Sequence, residues 1–328
     1  MFAAIIAPLG AGLAMFLFGM KIMEMALDRL AGPRLAAALA RFTRTPARGM
    51  AASAAVTAAL QSSTAVTVAT IGLVNAGLIR FRQTLGVILG ANIGTCLTTT
   101  LLGGGLDRLA VPLLLTASAV CAASWLPLPL GARRAASATA PAPVRPHRPL
   151  ALRYGALAAA GFACVLLAMQ VLQSIAPALR ERGTLDAFIA LAQTSLLWGV
   201  LAGAALTALI HSSAACIAMA MSLAATQAIS PTLGIAIVIG ANIGTCATAL
   251  IASASGSRYG RWVAWTHIAL NAGGALLFYP LIGLLEQTAA LLSATPAGQI
   301  AQAQTLFNVS CSLLALPICY LPSRRKPA

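Results

Sequence analysis

Long apolar runs separated by short polar or basic segments recur from one end of the chain to the other. Runs of about 18 residues or more are the signature of membrane-crossing helices. They place helices at about 2–25, 84–104, 109–130, 154–178, 233–254, 262–285 and 298–320. No segment alternates apolar and polar residues, which excludes a membrane β-barrel. The pattern therefore predicts an all-α polytopic membrane protein. The opening run, MFAAIIAPLGAGLAMFLFG, has its first basic residue, Lys21, behind it. A cleaved signal peptide carries its charge in front, so this run is expected to be the first membrane helix.

Two further apolar stretches, 49–79 and 199–229, carry a polar triplet near the middle. The triplets are Gln61-Ser62-Ser63 and His211-Ser212-Ser213. TAALQSSTAV from Thr57 aligns without a gap to TALIHSSAAC from Thr207, and GANIGTC stands unchanged at 90–96 and at 240–246. GLAMFLFGM from Gly12 aligns to GFACVLLAM from Gly161 at nearly the same offset. A period this long means two copies of a domain-sized unit, not a solenoid. The first copy covers 1–130 and the second 154–285. A Pro/Ala/Arg-rich segment, 131–153, joins them with the composition of a flexible linker, and a terminal helix with a basic tail fills 286–328.

Lysines and arginines concentrate in cytoplasmic loops. Residues 29–48 carry Arg29, Arg34, Arg41, Arg44 and Arg48, whereas in the counterpart 179–198 Glu181 and Asp186 offset Arg180 and Arg182. Arg80 and Arg82 follow the first triplet; the uncharged Ser230-Pro231-Thr232 follows the second. Arg258 and Arg261 follow the second GANIGTC, and the joining segment and the tail are basic. One orientation satisfies all of these. The N-terminus lies outside, while the linker and the C-terminus are cytoplasmic. Segment 49–79 starts and ends inside, segment 199–229 starts and ends outside, and the second copy is inverted. Both segments must then double back as re-entrant hairpins. Limbs of about 15 residues at ~1.5 Å each reach roughly the bilayer middle. The two tips are expected to meet there. Interrupted backbone is tolerated at that depth only where protein or a cavity surrounds it. Inverted repeats with broken helices at the midplane describe a secondary transporter.

Composition narrows the partners. A chain that is 59% hydrophobic and 8% charged suits a lipid bilayer. The net charge of +15 would suggest nucleic acid in a soluble protein, but no continuous basic face with interleaved aromatics exists, so nucleic acid is excluded. The seven cysteines lie in or beside apolar runs without CxxC spacing. They are expected as small buried residues, not as disulfides or transition-metal ligands. Gly103-Gly104-Gly105 is not followed by GK[ST] and is no phosphate loop.

Within 50–105 the only charges are Arg80 and Arg82, and 200–255 has no Asp, Glu, Lys or Arg. The centre is expected to consist of hydroxyls, amides and backbone. Gln61, Ser62, Ser63, Thr64, Thr67, Asn92, Thr95 and Thr98 supply one half; His211, Ser212, Ser213, Asn242, Thr245 and Thr248 supply the other. Such groups can cradle an anion with hydroxyls and helix N-terminal N–H groups. They can equally coordinate a hard cation with oxygens. Either ion alone leaves net charge in a low dielectric, whereas both together largely cancel it. That gives a physical basis for reciprocal coupling between cation and anion. His211 has two readings, donor to an anion or a brace on the local backbone in place of a glutamine amide. Asn271 and Asn308 are expected to hydrogen-bond between helices, and Lys21 and Glu24 to pair with each other. A serine hydrolase is set aside: His211 directly precedes Ser212, and the first copy has no histidine there. The chain is not expected to be an enzyme or to hold a cofactor.

The paired QSS-type and GANIGT motifs, together with FLFGMKIM near the start, resemble the sodium-dependent phosphate cotransporter family. These are the bacterial Na⁺/phosphate symporters related to animal type II cotransporters, and the likeness covers roughly 10–320. The resemblance implies inorganic phosphate as substrate, Na⁺ as coupling ion, a homodimer and a cell-membrane location. It assigns phosphate to Gln61, Ser62, Ser63, Thr64, His211, Ser212 and Ser213. It assigns Na⁺ to Ser63, Thr64, Asn92, Thr95, Ser213, Asn242 and Thr245. The chain departs from the family pattern at His211, at Ala214 where a third small hydroxyl residue is usual, and at Cys96 and Cys246 where threonine is usual. Another oxyanion or a small organic anion is the alternative cargo, and an anion channel the alternative mechanism.

Overall fold

The computed structural model describes residues 2–124, 148–183, 185–254 and 256–320, and every regular element among them is helical. The first copy contains α1 (Ala7–Phe42), α2 (Pro46–Leu60), α3 (Ser63–Asn75), α4 (Phe81–Gly103) and α5 (Ala110–Ala123). The second contains α6 (Arg148–Ser174), α7 (Ala176–Glu181), α8 (Asp186–Thr194), α9 (Leu197–Ile210), α10 (Ser213–Ala225), α11 (Pro231–Gly244), α12 (Cys246–Ser253), α13 (Arg258–Phe278) and the start of α14 (Ile282–Leu292). α15 (Pro296–Ala315) ends the described chain with a short 3₁₀ turn, Leu316–Tyr320.

Among the described residues, seven helical stretches are long and apolar enough to cross a membrane: Ala4–Gly32, Phe81–Gly103, Leu106–Ala123, Leu150–Glu181, Pro231–Ser253, Arg258–Leu292 and Pro296–Tyr320. They overlap the seven runs read from the sequence, of which residues 125–130 of the third lie outside the described residues. α3, α9 and α10 are apolar but have only 13, 14 and 13 residues, too short for a crossing.

Boundaries differ in two places. α1 has 36 residues, about 54 Å at 1.5 Å per residue, and carries the arginines from Arg29 to Arg41 on a helix where a loop was expected. Ala, Leu and Arg are strong helix formers, so a basic charge run does not end the helix. α6 begins at Arg148, so the last residues of the expected linker are helical. Residues 131–147 and the tail 321–328 lie outside the described residues.

Helix starts follow from local chemistry. Thr45, Ser230 and Thr295 each accept a backbone N–H with the side-chain oxygen, and Pro46, Pro231 and Pro296 follow at the first helical position.

Glycines set the packing. α1 and α6, which carry the aligned GLAMFLFGM and GFACVLLAM segments, run antiparallel, with Gly19 against Gly161 and Gly12 against Leu172. A Cβ on Gly161 would lie 2.6 Å from the Gly19 carbonyl oxygen. α2 and α4 run in the same direction: Gly86, Gly90 and Gly94 face the backbone carbonyls of Pro46, Met50 and Ala54. α9 and α11 repeat this, with Gly240 on Val200, Gly244 on Ala204 and Gly203 on Ile237. Such close backbone approach is how membrane helices gain van der Waals contact without a hydrophobic drive. The GANIGTC glycines thus admit the helix that precedes the polar triplet of the same half, α2 for Gly90 and Gly94 and α9 for Gly240 and Gly244. The main core gathers Phe16, Leu166, Met169, Met221, Ile235, Ile239 and Ile300. Leu115, Leu276 and Leu291 are 65%, 80% and 87% exposed, a lipid-facing periphery.

Candidate transport site

α2 and α3 are separated by two residues. Gln61 is left-handed (φ 56°), and Ser62 is extended and caps α3 by accepting the Ala65 N–H at 3.3 Å. α9 and α10 are separated identically. His211 has φ 54°, and Ser212 accepts the Ala215 N–H at 3.2 Å. Non-glycine residues at positive φ cost energy and persist where the surroundings fix them. The duplicated strain is therefore built in, and it aims the N-termini of α3 and α10 into the breaks. Helix N-termini present unpaired N–H groups and partial positive charge.

Gln61 is held on both sides. Its Nε2 donates to the Ala58 carbonyl at 2.5 Å, and its Oε1 accepts from Thr98 on α4 at 2.6 Å. This bracing is what was expected of His211. His211 instead is exposed and makes no side-chain hydrogen bond among the described residues, so its ring does not imitate the glutamine amide. Ser63, Thr64 and Ser213 are half-buried first or second residues of α3 and α10, while Ser62 is buried.

The GANIGTC motifs sit differently in the two copies. In the first it runs through the middle of α4; in the second it spans the joint between α11 and α12, with Thr245 at the junction. Thr95 and Thr245 each donate to the carbonyl four residues earlier, Ala91 and Ala241, both at 2.9 Å. Their oxygen lone pairs remain for a cation. Asn242 donates to Val238 at 3.0 Å. Asn92 donates to the Asn271 Oδ1 at 2.7 Å, and Asn271 donates to the Asn242 carbonyl at 2.8 Å. Asn271 on α13 therefore ties the asparagine of one motif to the backbone of the other. Asn271 also donates to the Cys246 thiol at 3.4 Å, and Asn308 on α15 to the Cys96 thiol at 3.3 Å. The cysteines that replace threonine are thus interhelical acceptors, and all seven cysteines are free. Among the described residues no hydrogen bond joins Gln61–Thr64 directly to His211–Ser213.

One feature departs from the expected charge-free centre. Glu24 on α1 pairs with Lys21 at 3.9 Å, and its carboxylate lies near Ser62. A carboxylate therefore stands beside the first break. Its sequence position, 37 residues upstream of Gln61, hid it. Among the described residues, buried polar side-chain atoms without a partner are Thr57 Oγ1, Thr207 Oγ1, both ring nitrogens of His267 and Gln304 Oε1, which stand four residues before Gln61, His211, Asn271 and Asn308, and Asp107 Oδ1 elsewhere. No group of three potential metal-ligating His, Cys, Asp or Glu side chains occurs among the described residues.

Comparison with known proteins agrees with the motifs. The family described as Na⁺/Pi-cotransporter matches residues 15–133 and 164–317, both copies with the joining segment left out. The chain belongs to that family. It is a membrane transporter family and not an enzyme family. The "Uncharacterized protein YqeW" of Bacillus subtilis (strain 168) is 30% identical over 310 residues, covering 93% of this chain and 92% of YqeW. The "Putative inorganic phosphate export protein YjbB" of Escherichia coli (strain K12) is 26% identical over 310 residues, covering 94% of this chain. The chain spans about half of YjbB, 52% of its length. The YjbB of Salmonella typhimurium is 25% identical over 317 residues. No solved structure matches the chain.

Proposed function

We propose that this member of the family is a Na⁺-coupled inorganic phosphate symporter working by alternating access. In this reading α2–α3 and α9–α10 are re-entrant hairpins of inverted repeats, and their breaks hold phosphate between them near the midplane. The duplicated break carries the proposal. Two left-handed residues, Gln61 and His211, are each followed by a capping serine and a helix that opens on a hydroxyl residue, Ser63 with Thr64 in one and Ser213 in the other. That arrangement suits an oxyanion. The parallel register of α2 on α4, with only residues 76–80 between α3 and α4, supports a reversal at Gln61. The antiparallel register of α1 on α6, which carry aligned segments, supports inversion of the second copy.

Phosphate contacts fall to Gln61, Ser62, Ser63, Thr64, His211, Ser212 and Ser213. Na⁺ contacts fall to the oxygens of Ser63, Thr64, Asn92, Thr95, Ser213, Asn242 and Thr245. Glu24 adds negative charge beside Ser62, which attracts the cation and makes phosphate alone unwelcome. Cation and anion then raise each other's affinity. The unpartnered Thr57, His267 and Gln304 atoms suit a hydrated path to the centre, since such groups are otherwise costly. The linker and C-terminus are cytoplasmic by the arginine distribution, and the protein works as a homodimer, which cross-linking in native membranes tests. Direction follows the gradients, so export, as in the name of the YjbB relatives, and uptake use the same site.

The test is ³²P-phosphate uptake into proteoliposomes with inward Na⁺ or matched K⁺ gradients. Accumulation with Na⁺ alone is expected, lost in Ser63→Ala and in Ser213→Ala. Flux that does not saturate points to a channel, and displacement by another oxyanion at lower concentration than phosphate points to that cargo. No accumulation from folded, reconstituted protein refutes phosphate symport.

A further inference from the structure

A cavity lies away from the breaks, where the starts of α2 and α4 meet the end of the described chain. Its volume is about 360 Å³, and Arg44, Arg80, Arg82, Thr45, Gln83 and Tyr320 line it. No Asp or Glu is among its lining residues. This size lies within the range of small-ligand pockets and well above that of a single water site. Tyr320 accepts the Ala47 N–H at 3.2 Å, so its own hydroxyl hydrogen remains available as a donor. The Arg80 N–H is already taken by Gln83 Oε1 at 2.6 Å, which fixes the Gln83 amide at the rim with its NH₂ free to donate. Three arginines, a tyrosine and a glutamine, all side chains that carry hydrogen-bond donors, thus line one cavity.

The repeat supplies a control within the molecule. Moving from Arg44, Arg80 and Arg82 to the aligned positions of the second copy gives Thr194, Ser230 and Thr232. There the scaffold forms the same helix starts without any arginine, and Thr232 donates to the Glu286 carboxylate at 2.7 Å. The three arginines are therefore not required to start or pack these helices. A topology signal needs positive charge in a loop, but it does not need that charge to surround a cavity.

From this convergence we infer that the cavity binds a phosphate group, carried either by an anionic lipid headgroup or by a free phosphate ion, distinct from the transported one. Guanidinium forks match phosphate oxygens bidentately, and basic pockets at the ends of membrane helices recruit anionic headgroups. The binding chemistry does not depend on the proposed transport function; only the assignment to the cytoplasmic leaflet rests on the proposed topology.

The experiment uses full-length protein in nanodiscs in the Ser63→Ala/Ser213→Ala background, so that phosphate binding at the breaks does not contribute. Two probes are titrated separately: phosphatidylglycerol, as discs of 0 to 30% content read by thermal melting, and inorganic phosphate, read by equilibrium binding in neutral-lipid discs. Variants are Arg44→Gln/Arg80→Gln/Arg82→Gln and the charge-preserving Arg44→Lys/Arg80→Lys/Arg82→Lys. The lysine variant keeps the topology signal and guards against a Gln variant that fails to insert. At least one probe is expected to bind or stabilise, with a loss of ten-fold or more in the Gln variant and a smaller loss in the Lys variant. A response to phosphatidylglycerol alone identifies the headgroup, and a response to phosphate alone identifies the free ion. If neither probe acts on the parent protein, or if the Lys variant responds to both probes as the parent does, the inference is overturned. Absence of transport in the otherwise wild-type protein would refute the symport proposal and leave this result standing.

Discussion

Replacing Gly90 by alanine tests the helix approach that carries the whole first break. A Cβ at Gly90 would press directly on the Met50 carbonyl oxygen and lie 2.8 Å from both the Met50 carbonyl carbon and the Ser53 Cβ. Carbon–carbon contacts are comfortable at about 3.5–4.0 Å, so α2 must withdraw from α4 by roughly 1 Å. Overpacking of this kind costs about 1–3 kcal/mol, and the obstacle here is backbone, which places it near the upper end. The withdrawal also stretches the Ser53 hydroxyl from the Val87 carbonyl, a 2.7 Å bond, worth about 0.6 kcal/mol in a membrane protein. Alanine returns about 0.9 kcal/mol of helix propensity. The net loss is about 2–3 kcal/mol. Gly273→Ala is the matched control, because nothing lies within 4 Å of a Cβ there and only the propensity gain remains. Unfolding of both variants in the same detergent, followed by helical signal and by intrinsic Trp fluorescence, measures the difference. Gly90→Ala should also lower uptake, because moving α2 displaces Gln61 from Thr98. A Gly90→Ala protein as stable as Gly273→Ala, with wild-type uptake, would refute the packing argument.

The remaining predictions concern the site itself. Asn92→Ala and Asn271→Ala should each destabilise by about 1 kcal/mol, and the double variant should lose clearly less than the sum, because both remove one hydrogen-bonded link; additive losses would mean no link. His211→Gly should be tolerated, whereas His211→Val should cost about 1–3 kcal/mol, since a β-branched residue cannot easily hold φ 54°; equal melting temperatures would argue that the break relaxes. His211→Gln should keep uptake, as Gln61 occupies the same conformation in the first copy. Glu24→Gln should raise the Na⁺ concentration for half-maximal uptake by several-fold while leaving maximal uptake less affected; an unchanged Na⁺ dependence would remove Glu24 from the cation's surroundings.

The crossing helices were legible because bilayer thickness imposes a length and an apolarity that no tertiary contact can override. All seven candidate crossings appear at the expected places. The break positions were legible too, since QSS and HSS interrupt otherwise uniform apolar runs. The end of α1 was not: its arginines announce a loop by charge and Gly32-Pro33 is a local helix breaker, yet the helix continues to Phe42.

The sequence by itself determined the repeated motifs, the membrane class, the family and the residue types at both breaks, because each is a matter of composition, length and spacing. Only the tertiary structure decided which groups meet. It set Glu24 of α1 beside Ser62 and used Asn271 to tie Asn92 to the Asn242 backbone. It turned the motif glycines toward the helix of their own copy and enclosed three scattered arginines around one cavity. The physical reason is common to all four. Hydrophobicity along the chain fixes that a helix crosses, but it is indifferent to rotation and neighbour; those are set by how closely particular backbones can approach, and that is decided between residues far apart in the chain.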